Sequence, residues 1–202
     1  MAKLDLYKLH KAEYVTSNKP AFVRTKPAQY LTICGQGAPG GDRFTASIGA
    51  LYGVAFTIKM TRKFAGKQDY AVCKLEGQWF FVGEPETIPK HEWKWKLMIR
   101  TPDFVSQKDQ RAAAATLLKR GKQREVEEVQ IETIDEGTCV QMLHVGPYEK
   151  ERETIALIRS FAEANGWQLA GPHHEIYLSD PRRVPPERLR TILREPTVRQ
   201  SS

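Results

Sequence analysis

Gly171-Pro172-His173-His174-Glu175-Ile176-Tyr177-Leu178-Ser179-Asp180-Pro181 is the stretch whose reading decides the fold. Gly-Pro at one end and Ser-Asp-Pro at the other are breakers, and the residues between them read as a short strand. Successive strand side chains point to opposite faces, which puts Glu175 with Tyr177 and Ile176 with Leu178. The aliphatic face is ordinary core. The Glu/Tyr face looks either to solvent or into a cavity, and function turns on which.

Upstream of this strand, Val126–Ile134 and Thr138–His144 read as two strands joined by the turn Asp135-Glu136-Gly137. Gly146-Pro147-Tyr148 then leads into a helix with the buried stripe Ile155, Ile158, Phe161 and Ala162, closed by Asn165-Gly166. Downstream, Leu189–Pro196 is a last strand. The N-terminal half repeats the order. Ala21–Arg24 and Gln29–Gly35 flank a break at Lys26-Pro27-Ala28, and a loop at Gly37–Gly41 follows, with Asp42 as N-cap. Phe44, Ile48, Leu51, Tyr52 and Ala55 recur at helical spacing to about Lys63. Strand text follows at Tyr70–Leu75 and Gln78–Val82 around Glu76-Gly77, then at Trp93–Arg100, stopped by Thr101-Pro102.

Both halves therefore read hairpin, helix, strand, strand, and their last strands echo each other (Met98-Ile99-Arg100-Thr101-Pro102 beside Ile192-Leu193-Arg194-Glu195-Pro196). The expectation is an α+β fold of duplicated βαββ half-modules with pseudo-twofold symmetry, antiparallel sheets with helices on one face, and a ligand cleft between the halves. Residues 1–19 form an N-terminal extension and 20–198 a single domain. That domain divides into a first half-module at 20–102, a connecting helix at 103–122 and a second half-module at 123–198. Ser106 with Asp109 opens the connecting helix as a capping box, and Ala112–Ala115 with Leu117-Leu118 continue it to Gly121.

With 202 residues the chain can bury a real core. A hydrophobic fraction of 41% and a mean hydropathy of −0.50 describe a soluble protein. No apolar run spans a bilayer, so no membrane partner is expected. The N-terminus lacks the apolar core of a signal peptide, and the 3 cysteines (Cys34, Cys73, Cys139) are far apart, which suggests free thiols in the cytoplasm. The net charge of +7 raises nucleic acid as a partner. Against it, Lys and Arg are scattered outside the segment Arg182–Arg194, and no nucleic-acid-binding motif is present, so the charge reads as a solvated basic surface.

His144-Val145-Gly146-Pro147-Tyr148 before the second helix, Glu175 through Pro181, Ile48-Gly49-Ala50-Leu51-Tyr52 and Trp93 through Pro102 together resemble the GyrI-like small-molecule-binding family, in its longer stand-alone branch. The resemblance spans about residues 20–198. It implies an aromatic cleft with a key glutamate that takes flat, often cationic, polyaromatic compounds. Some stand-alone members similar to this chain hydrolyse the strained ring of DNA-alkylating cyclopropanoids, a detoxification. Others sequester drugs, or bind protein in the manner of gyrase inhibitors. Members that are bacterial multidrug-responsive regulators carry a DNA-binding module ahead of this domain, for which residues 1–19 leave little room.

Glu175 matches the family's glutamate, and aromatic walls would raise its pKa by desolvation, as suits a general base. The alternative is a solvent-facing strand glutamate. Tyr148 either donates to an oxygen that gains charge as the ring opens, or staples helix to sheet. Tyr177 shares the face of Glu175 and could orient it. Trp93 and Trp95 share one strand face and offer stacking surfaces, with Lys94 and Lys96 opposite; Tyr52 and Phe56, one helical turn apart, could line the other wall or sit in the core. His173 and His174 point apart on a strand and no carboxylate or Cys stands at ligand spacing, so no metal is expected, nor any cofactor. His144 is read as structural, in a position to orient the Gly-Pro-Tyr turn.

Overall fold

A computed structural model of the chain describes residues 3–81, 83 and 87–200. Its elements, in order, are α1 (Leu6–Leu9), α2 (Lys11–Tyr14), β1 (Ala21–Arg24), β2 (Ala28–Gln36), α3 (Asp42–Phe64), β3 (Glu76–Phe80), β4 (Lys94–Arg100), α4 (Gln107–Lys119), β5 (Gln130–Ile134), β6 (Thr138–Val145), α5 (Glu151–Ala164), β7 (Trp167–Leu169), β8 (His173–Tyr177) and β9 (Arg190–Arg199). The fold is α+β with antiparallel strands, and the chain divides into two compact units: residues 1–9 with 28–134, and residues 10–27 with 135–202. Among the described residues no helix is long and apolar enough to cross a membrane.

The first unit has the strand order β3-β4-β2-β5. Helix α3 buries Phe44, Leu51, Val54 and Ile58 at helical spacing, and these pack with Leu31, Ile33, Leu97 and Ile99 of the sheet. Its Gly53 lies under Leu117 of α4, where an added Cβ would sit 3.5 Å from Leu117 Cδ1. Helix α4 starts at the expected capping box. The Ser106 hydroxyl accepts from the Asp109 backbone N–H, and Asp109 accepts in return from the Ser106 N–H. The N-terminal residues are structured here as well: Leu4 is bonded on both sides to the strand-like bridge at Tyr70, and Leu6 is buried.

The second unit has the order β1-β6-β9-β8, with β7 on the far end of β9. Helix α5 covers one sheet face. Ile158 and Ala162 are fully buried against Val140, Met142 and Leu193, and Ile155 and Phe161 flank them half-buried, the stripe read from the sequence. On the opposite face Arg194 is buried with Glu136 (3.2 Å), Gln141 Oε1 (3.2 Å) and the Glu13 carbonyl (2.6 Å), and His174 Nδ1 meets Glu136 at 2.8 Å. Burial by itself would raise the Glu136 carboxyl, but His174 and Arg194 outweigh it and hold it at about 2.

Neither hairpin expected from the sequence forms. β1 pairs with β6 and β5 pairs with β2, each antiparallel. The connection Thr25-Lys26-Pro27 offers no glycine for a tight hairpin turn, and Pro27 keeps Lys26 extended. Thr25 instead prolongs the β1–β6 ladder, its N–H and Oγ1 both donating to the Gly137 carbonyl at 2.8 and 3.1 Å. Strand boundaries also differ: the expected strand Val126–Ile134 begins only at Gln130, after a 3₁₀ turn at Arg124–Glu127. Tyr70–Leu75 is irregular apart from the bridge at Tyr70, and Glu76-Gly77, read as a turn, begins β3 opposite Met98 and Leu97. Val82, the end of the expected strand, lies outside the described residues.

Candidate active site

The site is built on three neighbouring strands of the second unit and the first turn of α5. Antiparallel register places Tyr177 opposite Thr191 and Glu175 opposite Leu193 on β9, and across β9 it places Thr191 opposite His144 and Leu193 opposite Met142 on β6. Paired residues share a face. Leu193 and Met142 pack under α5, so Glu175 looks toward the helix-covered side and not to solvent. It is buried, so this face of the strand does not look to solvent.

One step along the ladder, His173 reaches Glu195. Its Nδ1 lies 2.5 Å from Glu195 Oε1, while its Nε2 lies 3.3 Å from Glu175 Oε1. Burial works against charge on this ring, yet Glu195 and Glu175 outweigh it and raise the His173 pKa well above the usual imidazole value. Glu151, the first residue of α5, completes the group: one ligand atom from each of Glu151, His173 and Glu175 lies within 4.8 Å of the others. The Glu151 carboxyl is raised well above the usual carboxylate range, first by burial and then by the neighbouring Glu175, against the opposing effect of His173 and a hydrogen bond from Thr191. Its Oε1 is buried with no hydrogen-bond partner. The arrangement is an imidazole ring between two carboxyl groups, with a third carboxyl beside it.

Tyr148 forms the rim. It opens a single 3₁₀ turn before α5, and its ring meets Tyr177 edge-on, with centroids 6.1 Å apart and planes at 87°. Burial, then the charges of Glu175 and Glu151, push its hydroxyl up to about 12, so it is a neutral hydrogen-bond donor at ordinary pH. His144 fixes this corner. Its Nε2 donates to the Pro147 carbonyl at 3.1 Å, which leaves Nδ1 to accept from the Thr154 hydroxyl at 2.9 Å. Gly146 has φ of +143°, a conformation that favours glycine. His144 thus ties the end of β6, the Gly-Pro-Tyr turn and α5 together.

Glu175, Tyr148 and Tyr177 therefore come together in the second unit. The other expected ligand-binding residues belong to the first. Trp95 is core and offers no free stacking face, with 1% exposure. Its indole fills the space opposite Gly35, where a Cβ would come within 2.2 Å of Cη2, its ring meets Phe44 edge-on, and Nε1 donates to the Gly37 carbonyl. Trp93 is half-buried, edge-on to Trp79 and Phe81, with Nε1 donating to the Ile88 carbonyl. Tyr52 and Phe56 stack on α3 with centroids 6.1 Å apart, and Phe56 is exposed. A groove of about 490 Å³ along α4 and β5, lined by Gln107, Arg111, Leu118 and Ile131 among others, offers no histidine, cysteine or hydroxyl group.

Sequence reasoning missed Glu151, Glu195 and Thr191, and set His173 aside. The carboxylates around His173 come from three different elements, so no spacing in the chain brings them together. Glu175, two residues on along the same strand face, was the one local signal.

Residues 18–194 match the GyrI-like small molecule binding domain. The chain is 35% identical to an uncharacterized conserved protein from Listeria innocua, over 97% of this chain and 100% of that one, with a TM-score of 0.91. It is 33% identical to a hydrolase encoded by lin2189 from Listeria innocua, over 98% of this chain and 100% of that one, with a TM-score of 0.90. The C-terminal domain of EcmrR shares the fold alone, at 12% identity, over 90% of this chain and 98% of that one, with a TM-score of 0.58. No curated protein sequence is similar enough to the chain to match. The matched span covers most of the chain, and the chain belongs to the GyrI-like small-molecule-binding family.

Proposed function

We propose that this GyrI-like protein binds planar, hydrophobic and often cationic small molecules in an aromatic cleft, and that it hydrolyses cyclopropanoid DNA-alkylating compounds at Glu175. The observation that carries the reading is the buried Glu175 carboxylate beside the Tyr148–Tyr177 ring pair, a base and a neutral donor at one aromatic rim. The likeness to a Listeria hydrolase supports it. Trp93, Tyr52 and Phe56 belong to the proposal as further aromatic surface. We read the recurrence of strand–helix–strand–strand (β2-α3-β3-β4, then β6-α5-β8-β9) as an internal duplication. The three free cysteines suit a cytoplasmic setting.

In the reaction, His173 holds Oε1 of Glu175 and the second carboxylate oxygen takes a proton from a water. The water oxygen bonds to the cyclopropane carbon. The ring C–C bond breaks, and its electron pair passes through the conjugated ring to the carbonyl oxygen, which becomes a phenolate. Tyr148 donates a hydrogen bond to that oxygen, protonation from solvent yields the phenol, and Glu175 returns its proton to solvent. Water has been added and no redox partner is needed. Relief of ring strain keeps the barrier within reach of one base and good positioning.

The test is mass-spectrometric detection of a water-added product from a spirocyclopropyl cyclohexadienone, with the parent and Glu175→Gln compared and dye binding recorded for both. The expected result is product from the parent, none from Glu175→Gln, and dye binding by each. A parent that binds dye tightly and forms no product would leave a sequestering module and overturn the hydrolase reading.

A further inference from the structure

We propose that Glu151, His173 and Glu175 form a binding site for a divalent first-row transition cation of the Zn²⁺ class, with Glu195 as the outer partner that orients His173. The side chains converge from two elements: His173 and Glu175 share one face of β8, and Glu151 enters from the first turn of α5. Their ligand atoms lie within 4.8 Å of one another. Two of them already stand at the required separation. Bonds of about 2.0–2.1 Å to a tetrahedral ion put neighbouring ligand atoms about 3.3 Å apart, and His173 Nε2 to Glu175 Oε1 is 3.3 Å.

Two further observations point to a ligand. The first is Glu151, 6% exposed, whose Oε1 is buried without a hydrogen-bond partner. Buried carboxylate oxygens are seldom left so, because the lost hydration goes uncompensated, and a cation in the group would supply the missing contact. The second is the Glu195 contact. Metal-binding histidines commonly give their other ring N–H to a carboxylate, which fixes the tautomer and aims the free nitrogen at the ion. Glu195 Oε1 at 2.5 Å from Nδ1 is that contact, and it leaves Nε2 facing Glu175.

The donor set indicates the class of ion. One imidazole with carboxylates suits Zn²⁺ and its first-row neighbours better than Mg²⁺ or Ca²⁺, which take oxygen ligands in larger numbers. With three protein ligands a fourth position stays open, as in catalytic rather than structural zinc sites. The inference goes beyond the hydrolase reading. A cation bound to His173 Nε2 and Glu175 Oε1 replaces the contact by which His173 holds Glu175 in the hydrolase reading, so the two states exclude one another, and metal binding is read without substrate.

The experiment uses the untagged full chain after dialysis against a chelator. Co²⁺ is titrated in and its visible d–d absorption followed, and Zn²⁺ is titrated by calorimetry. The expected result is an intensified Co²⁺ band that saturates at about one ion per chain and is displaced by Zn²⁺. Glu151→Gln and Glu175→Gln should each weaken Zn²⁺ on the order of 100-fold, and Glu195→Gln about 10- to 100-fold. His91→Ala, which removes an exposed histidine paired with Glu92, should change nothing. A Co²⁺ spectrum that stays that of the hydrated ion at millimolar concentration would overturn the site without recourse to any variant. So would Zn²⁺ binding that survives in Glu151→Gln and Glu175→Gln but is lost in His91→Ala.

Discussion

His173 Nδ1 lies 2.5 Å from Glu195 Oε1, one step along the β8–β9 ladder from the His174–Arg194 pair. A cross-strand pair of this kind costs little backbone freedom, because the ladder has already brought the two Cα atoms together. Its electrostatic weight is large because Glu195 is buried and His173 is largely shielded from solvent. Removing one partner strands the other charge in a low-dielectric site.

Glu195→Ala should therefore destabilise the chain by about 3–5 kcal/mol, the usual cost of orphaning a buried charge. Glu195→Gln, which keeps an acceptor for the ring N–H, should lose about 1–2 kcal/mol. Urea unfolding followed by far-UV circular dichroism gives both values. Equal losses in the two variants would mean that the contact acts through shape and not charge.

Acid stability should depend on Glu136. Its folded pKa of about 2 lies below the ordinary value of 4.5, so its contribution is present above pH 4.5 and is lost as pH falls toward 2. The shift corresponds to something on the order of 3 kcal/mol. The stability gap between the parent and Glu136→Gln, measured by urea unfolding from pH 6 to pH 2.5, should shrink as pH drops. A gap that stays constant would remove Glu136 from the account of acid unfolding.

The rim tyrosine has its own signature. Free tyrosine ionises near pH 10, whereas the Tyr148 hydroxyl is pushed up to about 12. Absorbance at 295 nm through an alkaline titration should show one phenol fewer in Tyr148→Phe, and the missing step should fall near pH 12. If Tyr148 is the donor to the developing phenolate, the same variant should lose about 10²- to 10³-fold in kcat with little change in KM.

Gly35 tests the aromatic core of the first unit. A methyl group there would lie 2.2–2.7 Å from three Trp95 ring carbons, and that indole is walled in by Phe44. Gly35→Ala should cost about 1–3 kcal/mol as an overpacking substitution and should shift the tryptophan emission. Stability unchanged from the parent would show that the indole can move, and would reopen Trp95 as a ligand surface.

Much of the architecture was legible before any coordinates. The capping box Ser106–Asp109, the buried stripe Ile158 and Ala162, and the alternation on β8 all rest on local periodicity, which the chain carries residue by residue. The pairing of β1 and β5 was not legible. Adjacent strand texts imply a hairpin unless the connection forbids one, and here the deciding partner of Thr25 is Gly137, far along the chain.

The same division runs through the site. By itself the sequence determined that Glu175 and Tyr177 share one face and that a Gly-Pro turn presents Tyr148 ahead of a helix. Those are consequences of backbone geometry over a few bonds. Only the tertiary structure decided that this face is buried, that Glu195 clamps His173, and that Glu151 brings an unpartnered oxygen beside them. These relations depend on strand register and on where α5 settles, which are set by packing of Ile158 and Ala162 against Leu193 and Met142 and not by any spacing in the chain.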